Sequence, residues 1–394
     1  MSTVIPGGSA GAGTPAAGDR PLGLAVVGAG YWGPNLLRSS AASGRFVPHW
    51  VVDADADRAA RAAARTASAR PTTELEQALA DPAVDAVAVA TPAWTHTAVA
   101  AAALRAGKHV LVEKPLATSS EEARHLIELA EEAGRILMCD HTYCYTPAVQ
   151  AIRDMIASGE VGELLFVDSV RVNLGLIQPD VDVIWDLAPH DLAILDAILP
   201  NGCKPRTVAA HGADPVGAGL ACLAHLNLEL PGGLPVALNL NWLSPVKVRR
   251  ITIGGSRRTI VWDDLNPQMR ITVYDRGVEG LNGSRDDKLT RAVSYRIGDV
   301  VAPALPEREA LVSMFESFAT SIATGERPLS DGYAGLRVLE VLEASAKSLA
   351  GGGRPIRPIS PARAGTRLAE PAAALIPAQR GRRMPRRAFA TEVA

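Results

Sequence analysis

The sequence lacks the features that define several large classes of protein. Four cysteines occur in 394 residues, at Cys139, Cys144, Cys203 and Cys222, and no two of them form a C-x-x-C pair. This excludes a disulfide framework or a zinc knuckle as the basis of the fold, and it predicts free thiols in a reducing cytoplasm. No apolar run reaches the length of a membrane span, so we expect no membrane partner.

The net charge of the chain does not decide what kind of partner it binds. A formal net charge of −2 argues neither for nor against an anionic partner. The composition, 47% hydrophobic and 21% charged residues, is typical of a globular protein with a substantial core. The sequence shows no internal repeat, and its length allows two domains of ordinary size.

The two ends of the chain differ from its middle. Residues 1–19 are rich in Gly, Ala and Pro and lack the basic start and apolar core of a secretion signal, which predicts a flexible leader. Residues 351–394 contain nine arginines and few acids among Pro, Gly and Ala, which predicts a disordered tail. A solvated tail is favoured over one that binds nucleic acid weakly, so no specific nucleic-acid partner is expected.

Between residues 20 and 142, short apolar segments alternate with helical ones. This alternation predicts a doubly wound α/β domain, whose ligands bind at the carboxyl ends of the parallel strands. The predicted strands are 23–28, 47–53, 86–90, 110–113 and 136–139. The predicted helices lie near 55–67, 74–80, 95–106 and 121–133, with Thr73 and Ser120 as N-caps and Gly107 and Gly134 as C-terminal stops.

A glycine motif follows the first of these strands. Gly28, Gly30 and Gly33 stand in the order G-x-G-x-x-G between an apolar run and a helical segment. The first glycine permits a tight turn, the second lets a ligand approach the backbone, and the third lets the helix pack on the strand. The motif predicts a cradle for the pyrophosphate of a dinucleotide, with Tyr31 and Trp32 among its contacts.

The second strand ends in an acid. Asp53 lies at the right distance downstream to bind the adenosine ribose hydroxyls. Its charge would repel a 2′-phosphate, which favours NAD over NADP, although Arg58 and Arg61 are close enough to keep NADP open. The alternative is an ordinary α/β turn without a ligand, which the combination of strand, glycines, helix and acid disfavours.

After residue 142 the pattern changes to successive strands without intervening helices. Residues 143–350 therefore predict an α+β domain with a mainly antiparallel, mixed sheet, helices on one face and the other face open for an oligomer contact. The predicted strands are 164–173, 207–211, 220–229, 236–243, 246–253, 259–263 and 270–274. The predicted helices are 148–158, 185–199, 309–324 and 332–350.

Polar residues follow two strands of the first domain. Thr91 and Pro92 lead into a helix that His96 opens. All three are predicted to meet the cofactor; an ordinary strand–helix loop is the alternative. Glu113 and Lys114 end the next strand and are also predicted to contact the cofactor. An ammonium group there would hold a substrate hydroxyl and stabilise a developing alkoxide beside the nicotinamide, the alternative being a surface lysine.

A second polar group lies in the second domain. Asp186 and His190 are four residues apart and share a face of a predicted helix. An imidazole there would take the hydroxyl proton while the carboxylate orients it, although a capping Asp beside an unrelated His is the alternative. Arg171, Asn173 and Trp185 are predicted to line the substrate pocket, with a solvent-facing strand end as the alternative.

Together these motifs resemble the Gfo/Idh/MocA oxidoreductase family, which includes glucose–fructose oxidoreductase and inositol dehydrogenase. The resemblance covers about residues 21–350 and leaves the leader and the tail outside it. Two motifs, at 30–38 and 185–191, resemble the branch of sugar or sugar-nucleotide dehydrogenases. The matching segments are Gly-Ala-Gly-Tyr-Trp-Gly-Pro-Asn at 28–35, Ala-Thr-Pro at 90–92 with His96, Glu-Lys-Pro at 113–115 and Asp-Leu-Ala-Pro-His-Asp at 186–191.

The resemblance implies that Lys114, Asp186 and His190 correspond to the family's catalytic lysine, aspartate and histidine. It implies a Rossmann domain joined to an open-faced sheet domain through which dimers or tetramers form. The expected activity is NAD(P)-dependent hydride transfer to or from a secondary alcohol of a sugar, polyol or nucleotide-linked sugar, without a metal ion. The alternatives are an NAD-dependent glycosidase that oxidises its sugar transiently, and a nucleotide-binding regulator that has lost the catalytic residues present here.

Overall fold

The computed structural model describes residues 20–279 and 294–358, which form two sheets with their helices. The predicted leader, residues 1–19, lies outside the described residues, as does the predicted tail from residue 359 onward.

The first sheet has six parallel strands in the order β3-β2-β1-β4-β5-β6, which is the order of a dinucleotide-binding fold. All five predicted strands are confirmed. The sixth, β3, was missed because it is only three residues long and contains Pro71, a residue that disfavours a strand. The strands are β1 (Leu22–Val27), β2 (Phe46–Val52), β3 (Arg70–Thr72), β4 (Ala86–Val89), β5 (His109–Glu113) and β6 (Leu137–Asp140).

Five helices connect these strands: α1 (Gly33–Ala42), α2 (Ala56–Ala63), α3 (Leu75–Ala80), α4 (Ala93–Arg105) and α5 (Ser120–Ala133). Gly107 and Gly134 follow α4 and α5 with positive φ angles of 72° and 60°, as predicted. The two predicted N-caps are wrong. Ser119 caps α5 by accepting a hydrogen bond from Glu122, whereas Ser120 binds Glu343; at α3 the cap position belongs to the residue after Thr73.

The second sheet has eight strands in the order β14-β13-β12-β11-β7-β10-β9-β8, and only the β7–β10 pair is parallel. This confirms a mixed, mainly antiparallel sheet, although β14 was not predicted. The strands are β7 (Leu164–Leu174), β8 (Thr207–Ala213), β9 (Leu223–Glu229), β10 (Pro235–Asn241), β11 (Leu243–Gly255), β12 (Thr259–Asp263), β13 (Ile271–Glu279) and β14 (Ser294–Val301).

Helices cover one face of the second sheet. Along β9, Leu226 and Leu228 are buried whereas Asn227 and Glu229 are exposed, which is the alternation of a sheet with one covered face. The predicted open face is therefore confirmed. The helices of this part are α6 (Pro147–Ala157), α7 (Val183–Ile198), α8 (Ala310–Thr324) and α9 (Gly332–Ala350), and a short 3-10 helix (Thr142–Tyr145) precedes α6.

The last two helices return to the first domain. The ring of Phe46, on β2, lies 5.5 Å from that of Phe315 and 5.7 Å from that of Phe318, both on α8. On α9, Glu340 accepts a 2.7 Å hydrogen bond from Nη2 of Arg124 on α5. Within the second domain, Arg337 of α9 makes two hydrogen bonds, of 2.6 and 2.7 Å, to Asp196 of α7. The domains are therefore docked by a buried aromatic cluster and by the ion pair between α5 and α9, and α9 in turn holds α7.

The chain beyond α9 differs from its prediction in one respect. Ile356 and Val208 exchange two backbone hydrogen bonds of 2.8 Å, so residues 351–358 extend the second sheet by one isolated bridge. The prediction of a disordered tail is therefore wrong for residues 351–358, because Ile356 pairs with the backbone of β8. No helix in residues 20–279 or 294–358 is long and apolar enough to cross a membrane.

Phe318→Ala removes a fully buried ring from the contact between the domains. We expect it to lower the free energy of unfolding by about 3–5 kcal/mol, because the cavity cannot close between α8 and β2. Urea unfolding measures this loss. Phe166→Ala is the control, since Phe166 is 37% exposed on the open face and should cost less than half as much; equal losses would contradict the role of the cluster.

Candidate active site

Two of the three motif glycines are required by packing, and the third faces open space. A Cβ on Gly28, whose φ is +96°, would lie 2.5 Å from the backbone of Ala90, and one on Gly33 would lie 2.0 Å from the Gly28 carbonyl oxygen. A Cβ on Gly30 would meet nothing within 4 Å. The turn thus leaves room where the motif predicts a pyrophosphate, so the residues present fit a dinucleotide.

Asp53 supports the glycine turn from the end of β2. Its carboxylate accepts a hydrogen bond of 2.7 Å from the Ala29 backbone and one of 3.0 Å from Arg58 Nε. The Asp53 side chain is 9% exposed and forms an ion pair with Arg58. The predicted aromatic contacts Tyr31 and Trp32 are 79% and 42% exposed, with their rings perpendicular and 5.6 Å apart.

His96 joins two of the predicted loops. Its ring is 1% exposed, with Nδ1 at 2.8 Å from the Pro115 carbonyl oxygen and Nε2 at 2.8 Å from that of Thr91. Burial lowers the pKa of His96. The neutral ring has one N–H, which donates to one of these two carbonyl oxygens, so His96 lies between the loop of Thr91 and Pro92 and the loop of Lys114. Direct contact of His96 with a cofactor stays a prediction.

The predicted catalytic lysine and aspartate meet across the two domains. Lys114 Nζ, just beyond β5, lies 3.9 Å from Asp186 Oδ1 and 3.5 Å from the Asp186 carbonyl oxygen. Trp242 Nε1 donates a 3.0 Å hydrogen bond to the other oxygen, Asp186 Oδ2. Trp242 is 1% exposed and was missed, because no local pattern relates a tryptophan between two strands to a helix 56 residues earlier.

His190 lies one turn further along α7, beside Tyr143. Their rings are 5.2 Å apart at 70°, which is an edge-to-face contact. Burial, followed by the charges of Lys114 and Arg171, lowers the pKa of His190 well below its ordinary 6.5. A neutral imidazole at neutral pH is able to accept a proton.

Arg171 lies behind this group. Its guanidinium is 4% exposed, makes a bidentate pair of 2.8–3.1 Å with Asp191, and lies over the Tyr143 ring at 4.9 Å. The structure therefore gives Arg171 a supporting contact in place of the predicted open pocket wall. Asn173 and Trp185 are both partly exposed, and Trp185 directly precedes Asp186.

Two carboxyl groups are buried at the base of Lys114. Glu113 and Asp140 are paired in register on β5 and β6 and are 7% and 3% exposed. Within the described residues, Glu113 Oε1 and Asp140 Oδ2 have no hydrogen-bond donor. Burial and then the charge of Asp140 raise the pKa of Glu113 well above its ordinary 4.5. One proton shared between the two carboxyls accounts for both observations.

Residues 22–141 match the family model described as the oxidoreductase family with an NAD-binding Rossmann fold, and residues 149–261 match the GFO/IDH/MocA C-terminal domain. UDP-N-acetylglucosamine 3-dehydrogenase of Acidithiobacillus ferrooxidans is 33% identical over 320 residues, which cover 80% of this chain and 93% of that relative. The chain belongs to the Gfo/Idh/MocA oxidoreductase family.

Further relatives match most of this chain. Inositol 2-dehydrogenase 2 of Saccharopolyspora erythraea is 30% identical over 334 residues, covering 81% of this chain and 91% of that one. The crystal structure of GenD2 from gentamicin A biosynthesis, in complex with NAD, superposes with a TM-score of 0.70 at 26% identity, over 89% of this chain and 99% of that chain. This Gfo/Idh/MocA protein is therefore an oxidoreductase with an NAD-binding Rossmann domain.

The described part of the chain shows no cluster of metal-ligating side chains. Among residues 20–279 and 294–358, no group of three or more His, Cys, Asp or Glu side chains is placed to hold a metal ion. In this Gfo/Idh/MocA site the Lys114 ammonium lies 3.9 Å from the Asp186 carboxylate.

Gly30→Ala tests the cradle. Because its Cβ meets no protein atom, we expect the melting temperature to stay unchanged while the dissociation constant for NAD rises at least ~10-fold, about 1.4 kcal/mol. Fluorescence titration with NADH measures the binding. Ala42→Gly, at the far end of α1, is the control; NAD binding to Gly30→Ala that equals the control would contradict this role of the turn.

Glu113→Gln tests the shared proton. A raised pKa in the folded state means that stability is greatest below pH 4.5 and falls as pH rises from there toward the folded-state pKa. The amide introduced by the substitution does not titrate, so the advantage of the variant over the parent protein in urea midpoint should grow as the pH rises above 4.5. Glu128→Gln, at an exposed position of α5, should show no such trend; a pH-independent difference for Glu113→Gln would refute the shared proton.

Proposed function

We propose that this oxidoreductase interconverts a secondary alcohol and a ketone on a sugar, polyol or nucleotide-linked sugar, using NAD. The observation that carries the proposal is the 3.9 Å contact of Lys114, just beyond β5, with Asp186 on α7. The same helix carries His190, whose pKa is lowered in part by the charge of Lys114. The similarity to UDP-N-acetylglucosamine and inositol dehydrogenases supports the substrate class. The buried Asp53 carboxylate supports NAD, while Arg58 beside it keeps NADP as a second cofactor.

His190 acts as the general base in oxidation and as the acid in reduction. Its lowered pKa keeps the ring neutral at neutral pH, so it is able to take the proton of the substrate hydroxyl. NAD, when bound, supplies the hydride acceptor. The edge contact with Tyr143 fixes the ring plane, which keeps one nitrogen directed at the reacting oxygen.

Lys114 stabilises negative charge on the same oxygen. Its contact with Asp186 Oδ1 is 3.9 Å long, so the ammonium retains hydrogen-bonding capacity for a substrate. Asp186 is anchored by Trp242 and in turn places Lys114. The regulator alternative predicts the loss of these groups, and their assembly in one place argues against it.

Supporting roles are proposed for the other predicted residues. Asn173 and Trp185, both partly exposed, line the substrate side of the site. Arg171 positions His190 through Tyr143, and Thr91 and Pro92 contact the cofactor from the loop that His96 braces.

We also propose that the protein forms a homo-oligomer in the cytoplasm through the open face of its second sheet. That face carries Phe166, which is 37% exposed. All four cysteines are buried free thiols, which accords with a reducing compartment.

His190→Ala and Lys114→Ala test the mechanism. Each should lower kcat by about 10²–10⁴-fold because it removes proton transfer or charge stabilisation, while NAD binding persists. NADH formation is followed by absorbance with UDP-N-acetylglucosamine, myo-inositol and levoglucosan as substrates. His225→Ala, at an exposed position of the second sheet, is the control.

The pH profile gives the sign of the His190 contribution. Because the pKa of His190 lies well below 6.5, oxidation should slow only when the pH falls well below that value.

Unchanged turnover in Lys114→Ala with NAD still bound would overturn the assignment. Cleavage of an intact glycoside without net NADH would favour the glycosidase alternative.

A further inference from the structure

A second cationic position lies on the substrate side of the sheet. Arg249 of β11 is paired in register with Arg171 of β7. Opposed residues in adjacent strands project to the same face, and Arg171 faces α7 through its pair with Asp191. Arg249 therefore projects to the face that holds His190, and its charge is one of those that lower the pKa of His190.

Arg249 is held loosely, unlike Arg171. Its one hydrogen bond to the described residues, 20–279 and 294–358, is 3.4 Å long and goes to Asp264 Oδ2; its side chain is 24% exposed. Arg171 is 4% exposed and makes three hydrogen bonds to Asp191. A buried, bidentate pair is part of the fold, whereas a long contact at a partly exposed site leaves donors for a ligand.

The charge around Arg249 is also unbalanced. Arg270 Nη1 lies 4.0 Å from the other oxygen of Asp264, and its side chain is 44% exposed. Two guanidinium groups thus share one carboxylate, so this trio carries a net positive charge. Asp263 does not correct this, because it contacts Arg250 on the opposite face of β11.

Aromatic contacts connect His190 to the strand next to the one that carries Arg249. The Tyr143 ring contacts that of His190 at 5.2 Å and that of Trp262 at 6.1 Å. Trp262 is paired with Ile251, two residues along β11 from Arg249. A substrate whose hydroxyl reacts at Lys114 and His190 therefore meets Arg249 with a different part of its structure.

We propose that Arg249, assisted by Arg270, binds an anionic substituent of the substrate, either the diphosphate of a nucleotide sugar or the carboxylate of a sugar acid. The proposal rests on the proposed function, whose sugar class it narrows to charged members. A neutral polyol has no group that would use this surplus of positive charge. Binding energy from a remote anionic group would place the reacting hydroxyl.

Isothermal titration calorimetry on the full chain loaded with NADH tests the site. NADH occupies the dinucleotide cradle, so UDP or glucuronate added afterwards reports on another position. We expect at least one of these anions to bind, and Arg249→Gln to weaken it about 10- to 100-fold, as the loss of a charge-assisted hydrogen bond does. Which anion is weakened identifies the diphosphate or the carboxylate as the source.

Arg250→Gln is the matched control, since it removes the same charge from the opposite face of the same strand. It should leave anion binding unchanged. Absence of binding by both anions, or an equal effect of the two substitutions, overturns the proposal. If Arg249→Gln fails to fold, Arg270→Gln is the second variant, because Arg270 is exposed. We expect it to weaken anion binding several-fold, and unchanged anion binding would overturn the assignment.

Steady-state kinetics separates this site from the reaction itself. With UDP-N-acetylglucosamine as substrate, Arg249→Gln should raise KM about 10- to 100-fold with little change in kcat, and with myo-inositol it should change neither. If no sugar forms NADH, the proposed function fails, whereas the calorimetric result still decides the anion site. Similar KM increases with both substrates would overturn the proposal.

Discussion

The contact between Lys114 and Asp186 is the constraint on which the site depends, because the two residues belong to different domains. Lys114 follows a strand of the parallel sheet, and Asp186 stands on the helix that covers the second sheet. The ammonium is placed only when both sheets are docked. Its 3.9 Å distance from the carboxylate holds the charge nearby without saturating it, since the group is still about one-fifth exposed.

Docking is maintained at a distance from the chemistry. The aromatic cluster of Phe46, Phe315 and Phe318 joins the outer part of the first domain to α8, and the Arg337–Asp196 pair ties α9 to α7. Asp196 lies more than two turns beyond Asp186 on the same helix. The Arg337–Asp196 pair therefore fixes the far end of the helix that carries Asp186 and His190.

The charged groups divide into two sets by burial. Arg171 with Asp191, and Glu113 with Asp140, are almost inaccessible and tightly paired or share a proton; they shape the backbone around the site. The contacts of Lys114 and Arg249 are longer and more exposed. Burying an unpaired charge is costly, which accounts for these two loosely paired cations staying partly accessible to water.

Features that depend on neighbouring residues could be predicted from the amino-acid order. Gly28, Gly30 and Gly33 dictate the turn, and the four-residue spacing of Asp186 and His190 places them on one helix face, because backbone geometry is set within a few residues.

Other features emerge only in the folded chain. Trp242 anchors Asp186, His96 lies between the carbonyl oxygens of Thr91 and Pro115, and Arg249 is in register with Arg171. These pairings join segments remote in sequence. Strand register and domain docking bring those segments together, and no local pattern encodes either of them.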